Sequence, residues 1–370
     1  MKEPEESDLS KLAANLVRNC LRIRPEDNVT VFFYPHTLAL AEDVATECFK
    51  VGADVLLNLY TDAYYAAYMK HLSEESLRTP SVFCKGLTEL STAEFWLGAV
   101  YDPAVFRGIP PGKMVANDEG ETAAHWPLAR ERKIRSLFVG MGQVTRPRAK
   151  AYGFSYTAWE RMMRAASSVP PARLAEDGKR LAAVLGTADR VRIAAGNGTD
   201  LSFSLKGRPV FVHDGVVDDE DIARGSYDAA IPAGDVTVAP LETSANGSVV
   251  FDLPQPWAGR TVRRLRWDFS DGRLTSWTGD AVALRLKAQW EKSGGDRDRL
   301  GFLGIGVNPK ARTGFLTNNF VRGVVTIGIG GNEDQGGTNK AGFFYGQALG
   351  AATVEVDGKP VVEKGKLLLA

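Results

Sequence analysis

Histidine is scarce in this chain, and its distribution limits the chemistry that the chain can perform. Only four histidines occur among 370 residues, and none follows His213. Enzymes that hold divalent metals commonly use several imidazole ligands. The C-terminal part therefore lacks the ligands for a histidine-rich metal centre. His36, His71 and His125 lie in the N-terminal part, where they are not expected to complete such a centre.

Cysteine is also rare and has no metal-binding or disulfide pattern. The three cysteines, Cys20, Cys48 and Cys84, are widely spaced and include no C-x-x-C pair. An odd number of distant cysteines predicts neither a disulfide framework nor a structural zinc site. We therefore expect a protein of the reducing cytoplasm.

The chain has no net charge and no long apolar run. Basic and acidic residues number 45 each, so the chain lacks the overall positive field that nucleic-acid binding requires. No apolar run approaches the roughly 18 to 20 residues of a membrane span. The opening MKEPEESDLS is acidic and polar, unlike a signal peptide. We expect no nucleic-acid partner, no membrane insertion and no export.

The N-terminal part has the pattern of an open α/β domain. SDLSKLAANLVRNCLRI has apolar residues at helical spacing. NVTVFFY, LALAEDVATECFKVG and ADVLLNLY then read as strand, helix and strand, the unit of a parallel crossover. TAEFWLGAV and KIRSLFVGMG add buried strands. Residues 1–165 are therefore predicted to form an α/β domain with an open, mostly parallel sheet.

The C-terminal part has a different pattern, with short strands separated by turns. Residues 166–370 are predicted to form a mainly antiparallel β domain with one helix near DAVALRLKAQWEK. Within it, GVVTIGIGGNEDQGG is rich in glycine, which indicates a backbone that passes close to something. The turn dipeptides that separate the strands are Asn197-Gly198, Asp214-Gly215, Asn246-Gly247, Asp271-Gly272 and Asp357-Gly358.

An ordered series of segments resembles the thermophilic-type metallo-aminopeptidases, the family of aminopeptidase T. The series comprises NGTDLSFSLKGR, IPAGDVTVAP, ANGSVVFD, DGRLTSW, LGFLGIGVNPKA, GVVTIGIGGN, GGTNK and VEVDGKPV. The opening KLAANLVRNCLRIRPEDNVTVFF is similar to that family too. The resemblance implies the family's fold, a homodimer and a dinuclear metal centre that activates water for peptide hydrolysis.

The resemblance also implies where the metal ligands should stand. Asp235 occupies a position where the family has glutamate, and it is still a plausible ligand. Phe302 replaces another expected glutamate, and Thr326 replaces an expected histidine. Phenylalanine has no lone pair to donate and threonine is a poor ligand for such metals. We therefore expect no metal or other cofactor at the family's position.

Three further positions follow from the same comparison. Glu333 stands near the position of a catalytic tyrosine. An ungapped count from Asn339 places the family's last histidine and aspartate on Phe343 and Tyr345. No catalytic residue of the family is therefore expected to remain. The rings could line a binding cleft or could simply fill the space that the metals left.

The function expected from these substitutions is non-catalytic binding of a peptide in the inherited cleft, in support of partner enzymes that modify the peptide. Two alternatives remain. One is a hydrolase with remodelled ligands, for instance Asp235, Glu333 and Glu355 together with residues of the first domain. The other is a metal-independent enzyme that uses Asp235, Tyr345 or His213 on a small molecule. Other relatives in the wider fold open aromatic rings at an iron site, which also requires histidines. The residues expected to line the cleft are Asp235, Phe302, Thr326, Glu333, Phe343 and Tyr345.

Overall fold

The structure, a computed structural model, describes residues 8–369. The acidic opening MKEPEES, predicted not to be a signal peptide, lies outside the described residues. The helices and strands up to residue 185 are α1 (Asp8–Asn15), β1 (Asn28–Phe33), α2 (Leu38–Val51), β2 (Asp54–Leu59), α3 (Asp62–His71), α4 (Glu74–Arg78), α5 (Val82–Leu90), β3 (Ala93–Leu97), α6 (Pro111–Arg132), β4 (Arg135–Val139), α7 (Arg146–Tyr152), α8 (Tyr156–Ser167) and α9 (Pro171–Leu185).

The elements from residue 190 onward are mostly short strands. They are β5 (Arg190–Ala195), β6 (Thr199–Ser204), β7 (Val210–His213), α10 (Asp219–Arg224), β8 (Asp228–Ile231), β9 (Asp235–Val238), β10 (Asn246–Val250), β11 (Gln255–Trp257), β12 (Arg260–Val262), β13 (Arg266–Ser270), β14 (Arg273–Thr278), α11 (Ala281–Lys292), β15 (Leu300–Gly306), β16 (Val325–Gly330), β17 (Phe344–Leu349), β18 (Thr353–Val356), β19 (Lys359–Glu363) and β20 (Lys366–Leu367).

A five-stranded parallel sheet organises the N-terminal part. Its strand order is β2-β1-β3-β4-β8, and every neighbouring pair is parallel. One face packs on α1 and α2 around side chains such as Leu16, Val31, Phe95 and Leu137, which are fully buried. Parallel strands need a long crossover connection, and α2 supplies it between β1 and β2. The open α/β domain predicted from the sequence is confirmed.

Two antiparallel sheets form the C-terminal part. The larger has the order β14-β13-β10-β6-β5-β18-β19-β20, and the smaller has the order β17-β16-β15-β9-β7. Leu201 and Trp267 of the larger sheet share one apolar core with Leu303 and Ile327 of the smaller sheet. The predicted antiparallel architecture is confirmed, and α11 is the helix predicted at DAVALRLKAQWEK.

The turn dipeptides behave in two ways. Asp271-Gly272 and Asp357-Gly358 join β13 to β14 and β18 to β19, and both residues of each pair have positive φ, as a tight two-residue hairpin requires. Asn197-Gly198 joins β5 to β6. Asn246-Gly247 instead opens strand β10, and Asp214-Gly215 follows β7 without a hairpin. The dipeptide predicts a hairpin only where strands flank it on both sides.

The chain crosses between its two parts more than once. After β7 has joined the smaller antiparallel sheet, the chain returns to the parallel sheet as β8, beside β4. It then re-enters the smaller sheet as β9. The end of the parallel sheet and the start of the antiparallel sheet therefore lie close together, and the segment His213–Asp235 connects them.

One further observation concerns membranes. Between residues 8 and 369, no helix combines the length and the apolar composition needed to cross a membrane.

A buried arginine fixes α1 against the parallel sheet. Arg135 opens β4 and is only 6% exposed. Its guanidinium donates to the carbonyl oxygens of Leu21 and Arg22, at 2.6 and 3.0 Å, and to Asp27. The Asp27 carboxylate also accepts from the Thr92 hydroxyl at 2.7 Å. A buried ion pair of this kind leaves an uncompensated charge when one partner is removed.

We expect Arg135→Met to lower the free energy of unfolding by about 3–5 kcal/mol, because it leaves the buried Asp27 carboxylate without its cationic partner. The control Arg132→Met changes an exposed arginine at the end of α6 and should cost less than about 0.5 kcal/mol. Urea denaturation of the three proteins measures both values. Equal stability of the two variants would show that the Arg135 ion pair does not hold the fold.

Candidate glycine-face binding site

The smaller antiparallel sheet has two chemically different faces. Because side chains alternate along a strand, every second residue of β15 and β16 points into the shared core, as Leu303, Ile305, Ile327 and Ile329 do. The residues between them are mostly glycine. We call this second side the glycine face; it comprises Phe211, His213, Asp235, Thr237, Phe302, Gly304, Gly306, Thr326, Gly328, Gly330, Phe344, Gly346 and Ala348.

Strand register brings the few polar side chains of this face into neighbouring rows. Asp235 of β9 lies opposite His213 of β7 on one side and Gly306 of β15 on the other. In the next row, Thr237 lies opposite Gly304, which in turn lies opposite Thr326 of β16. Glycines thus separate the polar side chains, and because glycine has no side chain the backbone between them is uncovered.

Hydrogen bonds hold most of this cluster in place. The Nε2 atom of His213 lies 2.9 Å from the Oγ1 atom of Thr237. Asn319, from the segment that covers Gly306, donates to Oδ2 of Asp235 at 3.2 Å. The hydroxyl of Thr326 is buried and has no hydrogen-bond partner within residues 8–369. A buried hydroxyl without a partner indicates that a ligand or water completes its bonding.

Burial controls the protonation of the cluster's two carboxyl groups. Desolvation raises the pKa of Asp235, and the nearby His213 lowers it only in part. Asp228, at the start of β8, also has a pKa raised by desolvation and opposed by His213, although its side chain is accessible to water. Asp228 therefore lies within electrostatic range of His213, near the place where the parallel sheet meets the glycine face.

A pair of stacked phenylalanines forms the other end of the glycine face. The Phe302 ring lies over Gly328 and Gly346, where any Cβ would overlap it. Phe344 stacks on Phe302 with ring centroids 5.3 Å apart and an interplanar angle of 11°. Phe302 is 9% exposed, whereas Phe344 is 55% exposed. The pair offers an exposed aromatic surface at the open edge of the sheet.

Two of the residues expected in the cleft lie on the opposite side of the sheet. Phe343 and Tyr345 belong to the core, where the Tyr345 ring meets Trp267 edge-on at 6.2 Å. The Tyr345 hydroxyl donates to Oε1 of Gln347 at 2.8 Å. The ungapped count from Asn339 selected the wrong parity of β17, and a shift of one residue moves a side chain to the other face. Tyr345 is therefore not available as an acid or base in the cleft.

The acidic residues considered for a remodelled metal site are not brought together. Glu333 lies in an exposed 3-10 turn, Glu333–Gln335, with Arg130 at 3.9 Å. Glu355 lies on β18 of the larger sheet, 3.9 Å from Arg192. Only Asp235 of that set lies on the glycine face.

The donor atoms near Asp235 do not fit a metal centre. A mononuclear iron site of the ring-opening kind needs two histidines and a carboxylate, and a dinuclear hydrolytic site needs more ligands still. Here a single histidine, His213, accompanies Asp235 and Asp228. No group of three histidine, cysteine, aspartate or glutamate side chains within residues 8–369 is placed to hold an ion.

Several residues of the site were not singled out from the sequence. Thr237, Asn319 and Asp228 acquire their places through strand register and chain crossing. The alternation of glycine with leucine, isoleucine or threonine in GFLGIG and TIGIG could have identified the face itself.

Comparison with known proteins gives a family and a fold. Residues 156–369 match the family model described as NicX, 2,5-dihydroxypyridine 5,6-dioxygenase. The comparison with curated proteins finds no match. The resemblance in the sequence was to the aminopeptidase T family, whereas the matching family model is described as a dioxygenase.

Two solved structures share the fold over nearly the whole chain. Wild-type AmpT from Thermus thermophilus has a TM-score of 0.74 and 15% identity, with 97% of this chain and 98% of that chain covered. The 2,5-dihydroxypyridine dioxygenase from Pseudomonas putida has a TM-score of 0.64 and 13% identity, with 99% of each chain covered. The aminopeptidase-like fold implied by the resemblance is confirmed.

We expect Asp235→Asn to raise stability at pH 7. The raised pKa means that the folded protein holds the Asp235 proton more tightly than the unfolded chain, so wild-type stability falls as pH rises from the ordinary value of 3.8 through the folded value. Asparagine cannot ionise and can still accept from Asn319. The melting temperatures of variant and wild type should therefore diverge with rising pH.

The control for this comparison is Glu363→Gln, an exposed position on β19. Its melting temperature should follow the wild type at every pH between about 4 and 8. An Asp235→Asn protein that melts below wild type at pH 7 would contradict the proposed desolvation of this carboxyl.

We expect Gly328→Ala to destabilise the protein by about 1–3 kcal/mol, because the new methyl group overlaps the Phe302 ring. Gly304→Ala is the matched control on the same face, since its nearest neighbours would lie at 3.5 Å, an ordinary contact distance. Urea denaturation compares the two. Equal stabilities of the Gly328→Ala and Gly304→Ala proteins would show that the Phe302 ring does not lie on the glycine face.

Proposed function

The chain belongs to the 2,5-dihydroxypyridine 5,6-dioxygenase family, and we propose that it is a member that binds a peptide on its glycine face without a metal centre and without catalysis. The observation that carries this proposal is the buried Thr326 hydroxyl, which lacks a partner within residues 8–369. It lies in a polar cluster whose donors do not fit a metal. A ligand that supplies hydrogen bonds is the simplest completion of that cluster.

An extended peptide suits the shape of this face. Along β15, the row of Phe302 and the row of Asp235 are four residues apart, or about 13 Å. That separation corresponds to roughly four residues of extended peptide.

The two ends of the face would recognise different parts of the peptide. The Phe302–Phe344 stack would hold an apolar side chain, since exposed aromatic pairs are common anchors in interfaces. Asp228 and Asp235, beside His213, would face the amine end or backbone N–H groups. A bound peptide held in this way could be presented to a partner enzyme that modifies it.

One observation favours a second candidate function, metal-independent acid–base catalysis on a small molecule. Asp235 has a raised pKa and lies opposite His213 across the β7–β9 pair, and neighbouring groups of this kind can act as acid and base. Turnover that survives a chelator and is abolished by Asp235→Asn would support this alternative over the binding function.

We expect Phe344→Ser to weaken peptide binding about 10- to 30-fold, because it removes the exposed half of the aromatic anchor. Fluorescence anisotropy with a panel of labelled hexapeptides that differ at one apolar position measures the affinities. Phe83→Ser, which changes an 86% exposed phenylalanine on α5, is the matched control and should bind as wild type. Equal affinities of both variants would place the peptide elsewhere.

Metal analysis of the same preparation tests the metal-free part of the proposal. After dialysis against zinc, manganese or ferrous iron, the protein should retain far less than one equivalent of any of them. Retention of about one or two equivalents, lost in Asp235→Asn, would contradict it.

A further inference from the structure

Helix α6 carries a polar stripe that faces the parallel sheet. Asn117, Glu121 and His125 are four residues apart, so they lie on one side of the helix. The facing strand β3 carries Glu94 in a row with Thr30 and Ser136, on the side of the sheet opposite the α1 and α2 core. The N-terminal domain thus contains a second polar cluster, separate from the glycine face.

Three buried atoms of this cluster lack partners. Oε1 of Glu94, Oδ1 of Asn117 and Nε2 of His125 make no hydrogen bond within residues 8–369. The three side chains are 0%, 4% and 6% exposed, respectively. Buried polar atoms without partners are rare in native proteins and each indicates a missing group.

The unpartnered nitrogen of His125 is an acceptor. The Thr88 hydroxyl donates its proton to the Cys84 carbonyl at 2.9 Å, so it can only accept from Nδ1 of His125, which lies 3.0 Å away. Burial lowers the pKa of His125 to about 4, which keeps the ring neutral. A neutral ring that is protonated on Nδ1 has a free lone pair on Nε2. One oxygen of the Glu94 carboxyl group, Oε2, lies 3.5 Å from this nitrogen without forming a hydrogen bond. The nitrogen and Oδ1 of Asn117 are therefore acceptors that lack a donor, as is Oε1 of Glu94 when its carboxyl group is ionised.

Aromatic rings form the walls around this cluster. The Trp96 ring meets His125 edge-on at 6.0 Å and stacks on Phe32 at 3.9 Å. The Phe32 and Tyr60 rings also lie close together, with their centroids 6.2 Å apart. Glu121 lies within electrostatic range of Tyr60 and Tyr68. We call this region, bounded by α6, Glu94 and the aromatic rings, the α6 cleft.

The α6 cleft contains acidic groups without a cationic partner. Desolvation raises the pKa of Glu121. Glu94 and Asp118 have pKa values raised by desolvation to about 7. Within residues 8–369, no lysine or arginine lies within 4.0 Å of these three carboxylates. Nearby cations are engaged elsewhere: Arg78 pairs with Glu119.

We propose that the α6 cleft binds an organic cation, a ligand with an ammonium or guanidinium group, with Glu121 as counter-charge and the aromatic rings as walls. Such a group supplies several N–H donors to the acceptors that lack them, together with the missing positive charge. Aromatic faces attract organic cations in addition. This site is independent of the proposed peptide site on the glycine face.

Calorimetric titration of the full chain with n-butylguanidinium chloride tests this proposal, with neutral n-butylurea as the matched probe. We expect saturable binding of the cation and at least about tenfold weaker binding of the urea, because charge-assisted hydrogen bonds are the stronger kind. Glu121→Gln should lower the affinity for n-butylguanidinium about 10- to 100-fold. Glu131→Gln, an exposed position on the same helix, should bind as wild type.

A second variant covers the case in which Glu121→Gln does not fold, as judged by circular dichroism. Tyr68→Leu keeps the charge and removes one ring, and it should weaken binding several-fold. Phe344→Ser should bind n-butylguanidinium as wild type does, which separates this site from the peptide site. Equal binding of the two probes, or a crystal structure with ordered water on all three acceptors and no bound cation, would overturn the proposal.

Discussion

Side-chain alternation in the smaller antiparallel sheet is the constraint on which the candidate site depends. One side of each strand must supply the leucines and isoleucines of the shared core, so the other side is left to glycine, threonine, aspartate and two phenylalanines. Glycine at Gly328 and Gly346 lets the Phe302 ring lie flat on the sheet. The same alternation sends Tyr345 into the core and Phe344 to the surface.

The family relationship and the site chemistry give different information. The family model gives the family, and the two similar structures show the fold. The side chains near Asp235 include a single histidine, which is fewer donors than a mononuclear iron site or a dinuclear hydrolytic site needs. The fold by itself therefore does not specify the chemistry at this site.

Both parts of the chain use sheets with one apolar face and one polar face. The parallel sheet packs α1 and α2 on its apolar face and presents Glu94 and Trp96 toward α6 on the other. Asp228 belongs to the parallel sheet but lies within electrostatic range of His213 on the antiparallel sheet. The return of the chain to β8 between β7 and β9 is what brings Asp228 near His213.

The sequence by itself determined the elements: the parallel and antiparallel halves, helix α11, the tight turns at Asp271-Gly272 and Asp357-Gly358, and the absence of a histidine-rich centre. These depend on local periodicity, turn conformation and composition, which the chain carries along its length. Which residues meet depends on how the whole chain folds. The parity of β17, the contact of Asn319 with Asp235, and the contact of His125 with Trp96 depend on strand register and on packing between distant segments, which no local pattern encodes.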